Sequence, residues 1–416
     1  MFKGTLSPGL SPNLQTEDLL NSLRSIISVF HLNRGDYVNK IEAWFKYNFK
    51  SNYAFTFSSG REAEYALLSS IGVKEGDEVL VQAFTCTAAI NPIIWTGANP
   101  VYVDIDKDNY SMNPEDLKKK ITKKSKAVIV QHTFGIPGNI EKIKQIAKEN
   151  NIFLIEDCAH TIGGIYKNKK LGAFSGAAFF SFGRDKAVSS IFGGIVITNK
   201  KRIAQRIKKI EDISPYPSPL WTYQQLFHPI ATYLAILGFK IYPSLGKLIL
   251  FIIKKLNLIS KPIISTIQSP YEKNVKIKKY PNALAYLCYS QLTRVGQFNK
   301  RRLEIYNLYR ENLKKYKFYL PKDEHYYLRV PVIVSKNRKE LMYFCKKKLV
   351  YLGDWYSNVI DPKETNIDKI GYKLGSCKTA EEISKKIINL PTNPTLKDRD
   401  VYRIINSIKE FYDKEN

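Results

Sequence analysis

Lys186 closes the run Phe179-Phe180-Ser181-Phe182-Gly183-Arg184-Asp185-Lys186, in which an aromatic, strand-like segment gives way to small and hydroxyl residues. An amine just past a buried strand can be desolvated and become a nucleophile able to form a Schiff base with a carbonyl. A second stretch, Phe153-Leu154-Ile155-Glu156-Asp157-Cys158-Ala159-His160, delivers acids and a histidine at the end of an apolar run. A carboxylate at Asp157 can bind a protonated ring nitrogen, with His160 beside the same ring. Pyridoxal phosphate (PLP) needs such an acid, because its ring acts as an electron sink only while the pyridinium stays protonated. A third stretch, Thr56-Phe57-Ser58-Ser59-Gly60-Arg61-Glu62, reads as a strand, a small-residue turn and a helix start. Backbone N–H groups and the dipole at such a terminus hold phosphate, and Ser59 and Arg61 add donors. The turn is neither a G-x-G-x-x-G nor a Walker loop, so no nucleotide motif is read from it.

Taken singly, each stretch has a plainer reading: a solvated lysine, an N-capping aspartate, a structural histidine, an ordinary turn. What would unite them is the fold. From Ala54 to about Ile213, short β-branched or aromatic runs alternate with amphipathic runs of helical length. The expected strands are Ala54–Phe57, Glu78–Gln82, Pro100–Asp104, Ala127–Gln131, Phe153–Glu156, Ala177–Ser181 and Gly194–Thr198. Such alternation predicts a mostly parallel sheet with helices on both faces, an α/β class, because parallel connections need a crossover of a dozen or more residues. Ligands then gather beyond the carboxyl ends of the strands, where all three stretches fall. Two helical stretches between Leu19 and Phe49 lead in, and a long helical pattern from Ala283 opens a smaller C-terminal α+β domain. The expected division is 1–213, a large cofactor-binding α/β domain; 214–280, a basic and apolar insertion; and 281–416, the long helix and the small domain.

The chain's 416 residues are 44% hydrophobic and 25% charged, as in ordinary globular proteins, which excludes disordered, collagenous and polytopic membrane classes. Its net charge of +27 calls for an anionic partner. The five cysteines are odd in number, widely spaced and without C-x-x-C or metal-type pairing, so a reducing cytoplasm and no metal site are expected. The first residues lack an export-signal pattern, and no export is expected. No nucleic-acid module is recognisable and the positive charge is spread along the chain, so nucleic acid is not an expected partner.

The three stretches are joined, in order, by Gly76-Asp77-Glu78-Val79, Phe84-Thr85 through Asn91, Gly97 through Asp106, His132-Thr133-Phe134-Gly135, Gln291-Leu292 and Leu390-Pro391-Thr392-Asn393-Pro394. Together these resemble the DegT/DnrJ/EryC1/StrS family of PLP-dependent sugar aminotransferases, of the aspartate-aminotransferase superfamily, over nearly the whole chain. The resemblance implies a fold-type I PLP enzyme, a homodimer with its active site near the subunit boundary. It makes Lys186 the Schiff-base lysine and proton carrier, Asp157 the pyridinium partner and His160 a residue near the ring hydroxyl. Ser59, Gly60, Arg61 and Ser181 fall in the phosphate cradle, and Cys86 stands where many members place an aromatic against the ring. The implied reaction takes an amino group from an amino acid, usually glutamate, and gives it to a nucleotide-linked keto sugar for surface glycan biosynthesis. Position 61 is Arg where many members have Thr, and the family's Asn-x-Arg-Met is not recognisable in Lys276–Pro281. Arg329 and Trp355-Tyr356 fall in small-domain stretches within reach of a substrate. Two alternatives stand beside this reading: a PLP enzyme acting on a lipid-linked or non-sugar ketone at a membrane, and a PLP-binding scaffold or regulator without catalysis.

The insertion needs its own account. Segment 214–280 carries nine Lys against the single Glu272, and Leu248-Ile249-Leu250-Phe251-Ile252-Ile253 is followed by Lys254-Lys255. A transmembrane helix needs about 20 predominantly apolar residues, and Leu220–Phe239 is interrupted by Gln224, Gln225, His228 and Pro229. Two readings remain. In one, interfacial helices flanked by Lys240, Lys247, Lys254, Lys255 and Lys261 lie peripherally on the anionic cytoplasmic face of the inner membrane. In the other, a helical hairpin covers the protein's own core or a dimer interface.

Overall fold

The computed structural model describes residues 5–6, 13–28, 31–260, 275–316, 318–334 and 337–414. The strands are β1 (Tyr53–Phe57), β2 (Glu78–Gln82), β3 (Thr85–Cys86), β4 (Asn99–Val103), β5 (Ser125–Gln131), β6 (Phe153–Asp157), β7 (Ile165–Tyr166), β8 (Lys169–Lys170), β9 (Ala177–Ser181), β10 (Gly194–Thr198), β11 (Phe318–Tyr319), β12 (Arg329–Val334), β13 (Ile360–Asp361) and β14 (Ile387–Pro391). The helices are α1 (Thr16–Ile27), α2 (Tyr37–Phe49), α3 (Gly60–Ser70), α4 (Thr87–Trp95), α5 (Pro114–Lys120), α6 (Ile140–Glu149), α7 (Lys201–Ile213), α8 (Pro219–Ile241), α9 (Pro243–Lys255), α10 (Asn282–Leu292), α11 (Val295–Leu313), α12 (Arg338–Lys347), α13 (Lys378–Lys386) and α14 (Asp398–Asp413).

The seven expected strands form one sheet in the order β1-β10-β9-β6-β5-β2-β4. Because successive strand residues point to opposite faces, each strand feeds two cores. Phe57, Val81, Ile129, Ile155, Phe179 and Val196 pack on one face, whereas Ala178, Phe180, Ile195 and Ile197 belong to a core on the other. Leu80, Val128, Val130 and Leu154 pack with Ile140 and Ile143 of α6. Both faces are covered, and the fold is the type I architecture expected.

One strand departs from the parallel expectation. β10 runs antiparallel to both β1 and β9. The link from Ser181 to Gly194 contains no helix, so it returns the chain beside β9 without the crossover that a parallel strand requires. This helix-free link carries Lys186.

The C-terminal part holds an antiparallel sheet, β11-β12-β14. β14 is absent from the sequence expectation because its residues follow a helical pattern without a turn signal. The long helical pattern after Ala283 is two helices, α10 and α11, separated at Thr293-Arg294. Among the contacts that fix this part to the α/β part, β13 pairs parallel with β3, and the Asp104 carboxylate accepts hydrogen bonds from Thr379 and Ala380 N at the start of α13, both at 2.9 Å.

The insertion begins as a helical hairpin, α8 against α9. Leu226 of α8 joins the core of α2 and α10, and its carbonyl accepts a hydrogen bond from Ser22 of α1. No helix among the described residues is long and apolar enough to cross a membrane. Lys261 and the rest of 261–274 lie outside the described residues.

Candidate active site

The ends of β1, β5, β6 and β9 and the start of β10 converge on one point. Close approach there requires glycine: a Cβ on Gly194 would meet Ser59 O at 2.5 Å, and one on Gly60 would meet Ser181 Cβ at 2.8 Å. The Ser59 side chain caps α3, accepting from Glu62 N at 3.2 Å, as its place before an apolar helix predicts. The N-terminus of α3, its orphan N–H groups and the Ser181 hydroxyl therefore sit side by side.

Beyond these ends lies a cavity of about 640 Å³. All eight residues singled out from the sequence line it: Ser59, Gly60, Arg61, Cys86, Asp157, His160, Ser181 and Lys186. Asp157 is buried, and its Oδ1 accepts from Ala159 N at 2.8 Å. Burial pushes its carboxyl above the usual value, while that N–H and the Lys186 ammonium pull against it. Cys86 lies at the start of α4, where its Sγ accepts from Ala88 N at 3.5 Å and burial raises its thiol.

His160 is stacked on Trp355, with ring centroids 5.5 Å apart and planes 13° apart. Its Nδ1 accepts from Phe134 N at 3.1 Å, which leaves the proton on Nε2, facing the Tyr356 hydroxyl at 3.1 Å. Burial, then the charges of Lys186 and Arg329, hold the ring far below its usual pKa, so it is neutral. Trp355 is itself clamped: the Arg329 guanidinium lies 3.6 Å from its ring centroid and pairs with Asp185 at 3.3 Å. The Lys186 Nζ lies 5.2 Å from the same ring. Arg329, Trp355 and Tyr356 thus reach the site from the C-terminal part, as the sequence expected.

The Lys186 backbone is held from behind. Asn13 Nδ2 donates to Lys186 O at 2.9 Å and to Ala187 O at 3.0 Å, and the buried Arg302 donates to Asn13 Oδ1 at 2.8 Å and to Ala187 O at 3.0 Å. Glu156, next to Asp157 on β6, faces away from the cavity. Burial alone would raise its carboxyl, but His132 and the N–H groups of Gly172, Phe174 and Ser175 outweigh burial and hold it below the ordinary range. That cluster braces the strand that carries Asp157.

Sequence reasoning missed two contributors. Glu64 lines the cavity, is 1% exposed, and has no hydrogen-bond partner for Oε1. Its signal was an acid in register with Leu67 and Leu68 on the buried stripe of α3. The other is the hairpin: His228, Ala231, Thr232, Leu250, Lys254 and Ile259 wall the same cavity. Arg184 ties them to the lysine loop, donating to Ser260 O at 2.9 Å, while Ser260 donates to Gln225 Oε1 at 2.9 Å.

The model of the DegT/DnrJ/EryC1/StrS aminotransferase family matches residues 13–224 and 273–409. The chain belongs to this family. Its relatives include a GDP-perosamine synthase of Escherichia coli O157:H7, 28% identical over 410 residues that cover 97% of this chain and 98% of the relative. Among solved structures, DesV of S. venezuelae, determined in complex with a ketimine intermediate, superposes with a TM-score of 0.74 at 22% identity, covering 96% of this chain and 95% of that one. The PLP form of the putative sugar aminotransferase Spr1654 of Streptococcus pneumoniae gives a TM-score of 0.75 at 18% identity, covering 99% and 98%. The aminotransferase family match leaves out 225–272, most of the insertion.

Proposed function

We propose that this aminotransferase moves an amino group from an amino acid, glutamate by the family resemblance, to the keto group of a nucleotide-linked sugar used in surface glycan assembly. The observation that carries the reading is that Lys186 and Asp157 line one cavity, with the α3 terminus and Ser181 at its edge. A GDP-perosamine synthase among the relatives supports a nucleotide-sugar acceptor. The cofactor is pyridoxal 5′-phosphate, which when bound supplies an aldehyde and an electron-withdrawing ring.

The residues present fit that group. The buried Asp157 supplies a carboxylate to a ring nitrogen, and the close-packed Ser59-Gly60 turn leaves backbone N–H groups, Arg61 and Ser181 for a phosphate. The neutral His160, fixed by Phe134 N and Trp355, presents a flat face to a ring without adding charge. Lys186 Nζ takes a proton from the substrate carbon and returns it on the other side of the transfer. Its reach is set by the Asn13 and Arg302 contacts to its backbone, so the amine moves while its anchor does not. Trp355 and Tyr356 close the cavity against water.

The test is spectroscopic and chemical. The purified protein loaded with PLP should change absorbance on adding glutamate, and should aminate a nucleotide-ketosugar in a glutamate-dependent way. Lys186→Ala should lose about 10²–10⁴-fold in transfer rate, with circular dichroism unchanged. Transamination retained by that variant would assign the chemistry to another amine. A bound chromophore that no amino acid shifts would favour a non-catalytic binding protein.

A further inference from the structure

The hairpin α8–α9 has two kinds of surface. Its inner side joins Leu226 to the protein core and walls the cavity with Ala231, Leu250 and Lys254. Its outer side is not covered by any of the described residues. Leu234, Leu237 and Ile241 are exposed on α8 at the i, i+3, i+7 spacing of one helix face, with Ile241 55% exposed. On α9, Leu248, Phe251 and Ile252 are exposed at i, i+3 and i+4, again one helix face, with Phe251 61% exposed, and Leu256 follows at the helix end. Apolar surface of this extent is uncommon on a soluble face without a partner. Lys240, Lys247 and Lys255 are exposed among these residues, and the sequence holds neither Asp nor Glu between Ile213 and Tyr271.

We propose that the outer face of this hairpin docks the protein on an anionic lipid surface, with the mouth of the cavity held beside the headgroups. The charge pattern selects this occupant. Two copies meeting through this face would bring lysines against lysines with no acid on either side to pair them. A headgroup layer rich in phosphate takes the lysines at its surface and the apolar stripes below them, which is the build of an interfacial helix. No described helix is long and apolar enough to cross a bilayer, so the attachment is peripheral and reversible by salt. The surface lies in 225–272, outside the family match, and it reaches the reaction through the cavity wall it shares.

Sedimentation of the full chain with vesicles tests this. Phosphatidylcholine vesicles containing about 30 mol% of the anionic lipid phosphatidylglycerol should pellet the protein. Pure phosphatidylcholine should pellet little, and added salt should release it. The triple variant Leu248→Ser, Phe251→Ser, Leu256→Ser should stay in the supernatant while keeping its circular dichroism and its transamination rate. Lys240→Gln, Lys247→Gln and Lys255→Gln together should weaken binding roughly 100-fold, at about fivefold per lysine near the surface. Equal pelleting by both vesicle types, pelleting by neither, or equal pelleting of the serine variant would overturn the proposal. So would light scattering in which that variant falls to half the wild-type mass, since the face would then bury itself between two copies. Vesicle binding is read without turnover, so its failure leaves the aminotransferase reading standing.

Discussion

Glu64 occupies a costly position. Its carboxyl is buried and leaves Oε1 unpartnered, and burial together with the Asp157 charge pushes its pKa well above the ordinary value. The folded state therefore holds a proton there that the unfolded chain releases at its ordinary value of 4.5. Stability falls as pH rises from that value toward the folded pKa, because folding then requires taking up a proton from an ever thinner supply. Glu42 and Glu62, both pushed up to about 7, add slope of the same sign. Glu64→Leu continues the apolar stripe of Leu67 and Leu68. It should gain about 1–3 kcal/mol at pH 8, the usual cost of a buried unpaired polar group, and gain much less at pH 5. Urea unfolding of the cofactor-free protein at both pH values checks this, and an equal gain at both would show that Glu64 does not titrate with folding. Asp157 was legible as an acid ending an apolar strand. Glu64 was masked by Glu62 beside it, one more acid in a first helical turn where acids are expected.

At the scale of elements, legibility followed the local signal. The seven strands of the large sheet were readable because their apolar runs are bounded by polar turns, and three of them match to the residue: β2, β9 and β10. The direction of β10 was not, since direction belongs to the connection rather than to the strand. β14 was hidden because it follows α13 directly, with Ile387 serving as both helix cap and first strand residue. Asp157 was readable because it ends β6, and Lys186 because it follows the end of β9 in the same sheet by five residues. Arg329 and Trp355 lie more than 140 residues beyond Lys186 and the hairpin wall more than 40, and only packing brings them to the site. The joint between β4 and α13 shows such packing in a testable form. Asp104 accepts from the N–H groups of Thr379 and Ala380, a cap supplied from a distant part of the chain. Asp104→Ala should cost about 0.5–2 kcal/mol, seen as a lower urea midpoint with an unchanged slope, and Asp104→Asn should recover most of it. No change in either variant would mean that the cap adds nothing to the joint.

Across the whole molecule the dominant quantity is the net charge of +27. Many ion pairs on this surface are exposed, such as Lys118–Glu115 and Lys167–Glu141, and exposed pairs contribute about 0–1 kcal/mol each. The pairs Arg294–Asp18 and Arg329–Asp185, each with one buried partner, are partly shielded from solvent and respond less to salt. Attraction that salt can remove is therefore small, whereas repulsion among the excess cations is long-ranged and opposes the compact state. Lowering the Debye length from about 30 Å at 0.01 M to about 8 Å at 0.15 M screens the repulsion first. The melting temperature should accordingly rise with sodium chloride over this range and then level off. Sodium chloride separates this from the cohesive effect of sulfate or phosphate, and a guanidinium series would mix screening with denaturation. A melting temperature that falls as salt is added would mean that local pairs, not the overall excess of cations, govern the charge contribution to folding. The same screening weakens attachment to anionic vesicles, so stability and membrane affinity should move in opposite directions along one salt series.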